Sequence, residues 1–256
     1  PLRGSRDTFF GVRGINDSDF EANVLRFRSE TQLAEGLSFR TQALYGDYDK
    51  QYDNVFAVTA IGGTAAAPTV GIEAYIDPTT RKTLIGQANL EWHVATGGID
   101  HVILIGGEYT DQDSANERIN GFFSSTVPSS ANRRRSVPFT DPLVIPPIFF
   151  IAGAAGNANR KVSANLEQLS GYIQDQISFG DKVDLIAGLR YDRFDNNVTN
   201  LFTGATVSRV DDLWSPRVGL VVKPVPEASL YVSYAKSYLP QAGDQFITFD
   251  VNNSAL

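Results

Sequence analysis

The chain joins alternating strands by two very different kinds of connection. Four pairs of such strands follow one another, and a short turn closes each pair, at residues 34–36, 95–99, 180–182 and 224–227. Long polar segments run from about 46 to 82 and from about 110 to 161. Compact soluble domains rarely contain connections of that length. Because outer-membrane barrels have short turns on one side and long loops on the other, the sequence predicts an all-β, antiparallel transmembrane β-barrel.

Charge is confined to one face of the predicted strands. In the first pair, Leu25 and Phe27 alternate with Arg26 and Arg28, and successive side chains of a strand point to opposite faces. An arginine facing lipid near the middle of the bilayer would cost about 2–4 kcal/mol. We therefore expect Arg26, Arg28 and Arg40 to face the barrel lumen and the apolar alternates to face lipid.

Later strands repeat this alternation. Their proposed lipid-facing residues are Leu84, Ala88, Leu90, Trp92, Leu185, Ala187, Leu189, Val218, Leu220, Val222, Leu230 and Val232. The strand from about 162 to 179 has polar groups on both faces, so its facing stays open. Eight strands of roughly ten residues each would be long enough to cross a bilayer when tilted.

Aromatic residues recur at two levels of the proposed lipid face. We define the outer aromatic belt as the residues near the ends opposite the tight turns, which are Tyr45, Tyr109, Tyr191, Trp214 and Tyr234. Trp92 and Phe179 fall near the turns. Aromatic rings favour the headgroup level of a membrane, so two such belts would flank the apolar band. The alternative is that aromatic residues are simply common in strands.

Composition excludes several classes of protein. The longest apolar stretch, 142–156, is interrupted by Pro146 and Pro147 and is too short for a transmembrane helix. There is no cysteine for a disulfide or a thiolate metal site, and the net charge of -7 argues against nucleic acid as a partner. Only two histidines, His93 and His101, are present, which gives neither a metal cluster nor a nucleophilic triad, so we expect no enzyme.

Four segments resemble consecutive barrel strands of TonB-dependent siderophore receptors. They are 172–177 (YIQDQI), 188–192 (GLRYD), 214–220 (WSPRVGL) and 230–234 (LYVSY). The continuation at 237–246 (SYLPQAGDQF) is most similar to the catecholate-type members. The resemblance implies a bacterial outer-membrane barrel of about 22 strands with an N-terminal plug inside it.

The same resemblance implies a function and its partners. The whole protein would import a ferric siderophore with energy delivered through TonB, which contacts the plug, and it would lie among outer-membrane lipid and lipopolysaccharide. No cofactor is implied, because iron enters as a chelate bound by the ligand. The chain has no methionine and stops at 253–256 without a closing aromatic strand. We therefore interpret residues 1–256 as a partial barrel domain that lacks the plug and the terminal strands.

Capture of an anionic, aromatic chelate favours cations at the mouth of the barrel. Arg190 and Arg217 are the first candidates for substrate binding, since they lie on adjacent strands, near the extracellular end, and face inward. The alternative pairs them with carboxylates such as Asp192, Asp211 or Asp212, or with the plug, because buried charge needs a partner. Arg28, like Arg26, lies nearer the middle of the lumen and has the same two interpretations.

Two loop features have more than one interpretation. The run 133–135 (RRR) would attract anionic chelates or lipopolysaccharide phosphates, or form a solvated loop face. The apolar run 144–151 would fold over the barrel mouth, form part of a ligand wall, or pack within its loop.

Two rival functions stay open at this point. A passive porin-like channel would have an open lumen without a plug. A soluble β-sandwich adhesin would carry polar residues where the chain has its proposed lipid band.

Overall fold

The computed structural model describes residues 9–124, 129–140, 143–151 and 160–238. The elements are, in chain order, β1 (Asp17–Ala34), β2 (Leu37–Ala57), β3 (Gly62–Thr64), β4 (Ala67–Thr96), β5 (Ile99–Phe122), α1 (Ser130–Arg133), β6 (Arg135–Pro138), β7 (Phe149–Phe150), β8 (Arg160–Phe179), β9 (Val183–Asn200), β10 (Thr206–Val225) and β11 (Ala228–Ala235). All strand pairs are antiparallel, as predicted, and the long strands lie side by side in the order β1-β2-β4-β5-β8-β9-β10-β11.

The predicted tight turns are confirmed. β1 and β2, β4 and β5, β8 and β9, and β10 and β11 are each joined by two or three residues. In the first turn Gly36 has φ 71°, and a Cβ there would meet the carbonyl oxygen of His93. Only glycine fits that close approach between the turn and β4.

The strands are longer than the expected ten residues, and the long loops are correspondingly shorter. β4 spans 30 residues and β5 spans 24, so most of the segment 46–82 is paired strand. The connection between β9 and β10 is only residues 201–205. Beyond the membrane both faces of a strand meet water, so the alternation on which the prediction depended is lost there while the backbone stays paired.

Strand register confirms the predicted faces. Directly opposite residues of paired strands share a face: Leu25 lies opposite Tyr45, while Arg28 lies opposite Gln42. The open question of residues 162–179 is resolved in the same way, since Ile173 lies opposite both Ile105 and Leu189. We call the apolar side the outer face and the side with the arginines the inner face.

Contacts that skip a strand occur on the inner face. The Arg190 guanidinium of β9 lies 3.2 Å from Glu108 of β5, across β8, and the amide of Gln87 in β4 donates to the Tyr172 hydroxyl of β8 over 2.9 Å, across β5. Outer-face residues such as Leu25 and Ile173 instead expose 72% and 50% of their surface. An apolar band of that extent fits hydrocarbon and would be unfavourable in water. None of the described helices is both long and apolar enough to span a bilayer.

A small apolar cluster lies where β2 and β4 extend farthest beyond the outer aromatic belt. Its buried members are Val55, Val70, Ile72, Ala74 and Val137. Ile145, Ile148 and Phe150 of the apolar run pack against it, so the run lies mainly against the extensions of β2 and β4 and not only within its own loop. Three parts of the chain discussed above lie outside the described residues: 152–156 of the longest apolar stretch, 239–246 of the family-like segment, and the chain end at 253–256.

We expect Ile173→Arg to destabilise the protein folded in vesicles, lowering its free energy of unfolding by about 2–4 kcal/mol. The reason is that residue 173 faces hydrocarbon midway between the two aromatic levels. Urea titration of the full-length protein in phosphatidylcholine vesicles measures this loss. Gln176→Arg, on the inner face of the same strand, is the matched control and should fold like the wild type. Equal losses in both variants would mean that the faces are assigned wrongly.

Candidate functional site

The inner face carries a cleft of about 620 Å³ beyond the outer aromatic belt. We call it the inner cleft. Its wall combines aromatic rings with cations, namely Phe20, Tyr48, Tyr52, Lys50, Arg81 and Arg160. β1, β2, β4, β5 and β8 all contribute to the lining.

Period-two geometry brings the aromatic wall together. Tyr48, Lys50 and Tyr52 occupy alternate positions of β2 and so share one face. Phe20 lies opposite Lys50 in the register, and its ring stacks on Tyr48 with 6.3 Å between centroids. Sequence reasoning missed this site because it treated the segment after Tyr45 as loop. The alternate spacing of the two tyrosines around Lys50 was the signal that could have found it.

Among the described residues that line the cleft, basic side chains outnumber carboxylates. Lys50, Arg81 and Arg160 line it, against Asp77 as the carboxylate within the described lining. Asp77 accepts two hydrogen bonds from Arg118, whose guanidinium lies 4.0 Å from the centre of the Tyr75 ring. Hydrogen bonding to Asp77 raises the pKa of Arg118, so this carboxylate is already committed to one cation.

The candidate Arg190 is built into a polar network. Its guanidinium lies 2.8 Å from Asp192 and 3.2 Å from Glu108. Asp192 is only 7% exposed and also accepts a hydrogen bond from Ser170. Two carboxylates therefore neutralise Arg190. This arrangement fits the alternative in which Arg190 pairs with carboxylates and does not bind a ligand.

The candidate Arg217 has no such partner in the part of the chain that the structure describes. Its side chain lies across Gly188, where a Cβ would approach Nε to 3.1 Å, and no carboxylate within the described ranges lies within 4.0 Å of it. Arg190 and Arg217 lie on neighbouring strands, with Gly188 opposite Arg217. They are placed about midway along β9 and β10 and not near the far ends, because both strands continue well past the outer aromatic belt.

The structure does not bring Arg28 to the other two candidates. Arg28 belongs to β1, and four strands lie between β1 and β9 in the sheet. It is 3.7 Å from Glu30, and 67% of its side chain is exposed. With Arg26 and Gln42 it lines a second hollow of about 360 Å³ on the inner face.

The arginine run is neither a free anion site nor a uniformly solvated face. Arg133 and Arg134 lie 3.4 Å and 2.8 Å from Glu73, which is only 9% exposed. Arg135 is exposed on β6. The two ion pairs fix the loop to β4 instead of presenting two free cations to a ligand.

The two histidines lie on opposite faces in separate contacts. His93 Nε2 is 2.8 Å from Glu91 on the inner face, and His101 Nδ1 is 2.8 Å from Asp175 on the outer face. In the described ranges, no group of three or more histidine, cysteine, aspartate or glutamate side chains is arranged to hold a metal ion.

We expect Arg190→Gln to destabilise the full-length protein by about 1–3 kcal/mol, because it leaves the buried Asp192 without its cation. Urea titration of the protein in vesicles measures the change. Arg217→Gln should change stability by less than about 0.5 kcal/mol, since it breaks no ion pair with a described residue. A similar loss in both variants would contradict the difference in pairing.

Glu73→Gln should release Arg133 and Arg134 and make the loop sensitive to trypsin. Cleavage after these arginines should become at least about tenfold faster, because the ion pairs no longer oppose local opening. Limited proteolysis of intact cells followed by mass spectrometry measures the rate. Glu117→Gln, which removes the ion pair to Lys161, is the control. A similar increase in that control would indicate general loosening.

A family model confirms the resemblance stated from the sequence. The model of the TonB dependent receptor-like β-barrel matches residues 2–256. The chain is 24% identical to the probable TonB-dependent siderophore receptor PiuA of Acinetobacter baumannii, over all of the chain and 36% of that protein. It is 30% identical to the metal-pseudopaline receptor CntO of Pseudomonas aeruginosa, over 62% of the chain and 22% of that protein.

Solved structures show the same fold. The crystal structure of PiuA matches 92% of the chain and 34% of its own length with a TM-score of 0.71 at 20% identity. The closed form of the ferric-catecholate import receptor Fiu from Escherichia coli matches 93% of the chain and 35% of its own length, also with a TM-score of 0.71, at 16% identity. The predicted barrel fold is confirmed, and the chain spans about a third of the length of these proteins.

The family match also bears on the class of protein and on the membrane in which the barrel lies. The family consists of receptors and transporters and is not an enzyme class, and it favours neither a passive porin nor a soluble adhesin. Its barrels lie in the bacterial outer membrane, as the sequence predicted. Strand order, the apolar outer face and the family match agree: the chain belongs to the TonB-dependent receptor family and forms part of its outer-membrane β-barrel domain.

Proposed function

We propose that the whole protein captures a ferric siderophore, of catecholate type, in the inner cleft and imports it with energy delivered through TonB. The observation that carries this proposal is the combination of stacked aromatic rings and several basic side chains in one hollow that faces the barrel interior. PiuA is named as a probable siderophore receptor and Fiu as a ferric-catecholate import receptor, which supports this ligand class.

The chemistry of the cleft suits such a ligand. A ferric complex of three catecholates is a trianion with flat aromatic faces. Aromatic side chains provide stacking surfaces for those faces, and lysine and arginine provide charge and hydrogen bonds. A volume of about 620 Å³ also lies within the range of small-molecule sites, about 300–1,000 Å³. Iron would arrive already coordinated by its chelator, so the proposal needs no resident cofactor.

Arginines deeper in the barrel are proposed as later contacts. Arg217, and Arg26 with Arg28 in the second hollow, would receive either the ligand on its way inward or acidic groups of a plug domain. Arg190 would act with them only if a ligand displaced Glu108 or Asp192.

Contacts with TonB and with lipopolysaccharide are also part of the proposal. TonB would act through a plug domain. Lipopolysaccharide would surround the outer aromatic belt, because aromatic rings favour the membrane interface. The exposed Arg135 is a candidate for its phosphates.

We expect the double substitution Tyr48→Ala with Lys50→Gln in the complete receptor to weaken binding of ferric tris(2,3-dihydroxybenzoate) by about tenfold. The reason is the loss of one stacking and one cationic contact, at roughly 0.5–1 kcal/mol each. Fluorescence quenching of the purified receptor in detergent measures the affinity. The matched control, Asp49→Asn with Lys82→Gln, alters the outer face at the same height. Wild-type affinity in the cleft variant would reject the cleft as the site.

A further inference from the structure

Arg160, which lines the inner cleft, has a second guanidinium group and the carboxylate of Asp77 as neighbours. Arg118 of β5 lies directly opposite Arg160 of β8 in the strand register. Both are on the inner face, and both lie well beyond the outer aromatic belt. Arg118 binds Asp77 of β4 through Nε, over 2.8 Å, and through a second nitrogen. The face of the Tyr75 ring, 4.0 Å from the guanidinium, supports Arg118 from a second direction.

Arg160 has a weaker set of partners. Its Nε donates to the Asn116 side-chain oxygen over 3.1 Å, and no carboxylate within the described ranges lies within 4.0 Å of it. Asn116 is 6% exposed, and its amide donates to the Thr79 hydroxyl over 2.7 Å, which fixes its oxygen toward Arg160. Burial, followed by the neighbouring charge of Arg118, lowers the pKa of Arg160. The guanidinium is therefore held in place while its charge stays under-compensated.

We propose that Arg160 is the subsite for one negatively charged donor group of the chelate, and that Asp77 is a built-in counter-anion that limits the affinity of this subsite. The inference rests on the proposed function, because it assigns roles within the same cleft. An anion between the two guanidiniums would be attracted by both and repelled by Asp77. Asp77 also keeps Arg118 turned toward β4. A carrier that must release its cargo benefits from such a limit on affinity.

The proposal predicts effects of opposite sign for two neighbouring residues. In the complete receptor, Arg160→Gln should weaken binding of ferric tris(2,3-dihydroxybenzoate) by about tenfold or more, as expected when a charge-assisted hydrogen bond is lost. Asp77→Asn, which keeps the size of the side chain, should strengthen binding several-fold. A residue with a merely structural role in the cleft would not raise affinity when it is replaced.

Salt dependence and two control variants complete the experiment. The gain in Asp77→Asn should shrink when ionic strength rises from 0.05 M to about 0.5 M, since salt screens the charges. Arg160→Lys, which keeps the charge, should lose less affinity than Arg160→Gln, and this comparison decides the role of Arg160 even if Asp77→Asn does not assemble. Lys161→Gln, one residue along but on the outer face, should bind like the wild type.

The outcomes separate this inference from the proposed function. Unchanged or weaker binding in an assembled Asp77→Asn receptor, or equal losses in Arg160→Lys and Arg160→Gln, would overturn the inference. If those results appear while the Tyr48→Ala, Lys50→Gln receptor still loses affinity, the cleft remains the ligand site and only the assigned roles fail. If the Tyr48→Ala, Lys50→Gln receptor binds like the wild type, the proposed function of the cleft fails as well.

Discussion

Everything in this sheet follows from the cost of an unpaired backbone group in hydrocarbon. A chain that crosses lipid as strands must pair each strand on both sides, and its side chains then alternate strictly between lipid and lumen. One residue of register slip would place Arg28, Arg40 and Arg190 in the membrane. The pairing of the long strands therefore decides both the fold and the chemical character of each face.

Charges excluded from lipid accumulate on the inner face, where most of them compensate one another. Arg40 lies between Glu30 and Glu91, and Arg190 between Glu108 and Asp192. The inner cleft differs in composition, because basic side chains outnumber carboxylates among its described lining residues. A local excess of charge on an otherwise balanced surface is the electrostatic feature expected of a site that binds a charged ligand.

Sequence reasoning succeeded where the membrane imposes a pattern and failed where it does not. The turns and the facing of Leu25, Arg28 and Leu189 were predictable, because lipid tolerates only one arrangement. The strand 162–179 was ambiguous because Asp175 lies on the outer face, where His101 pairs with it across the sheet. The inner cleft escaped prediction because its residues lie on strand extensions with water on both sides. The role of Arg133 and Arg134 depended on Glu73, some 60 residues away, and no local pattern shows that contact.

The top of β4 is paired on both edges even where β5 has ended. β2 runs beside it up to Ala57, and β6 takes the place of β5, so that Ile72 lies opposite both Ala57 and Arg135. Insertions or deletions before residue 135 are thus tolerated only if β6 still docks in register. A shift by one residue would turn Val137 from the apolar cluster into water. The external loop can vary in sequence while its point of attachment stays fixed.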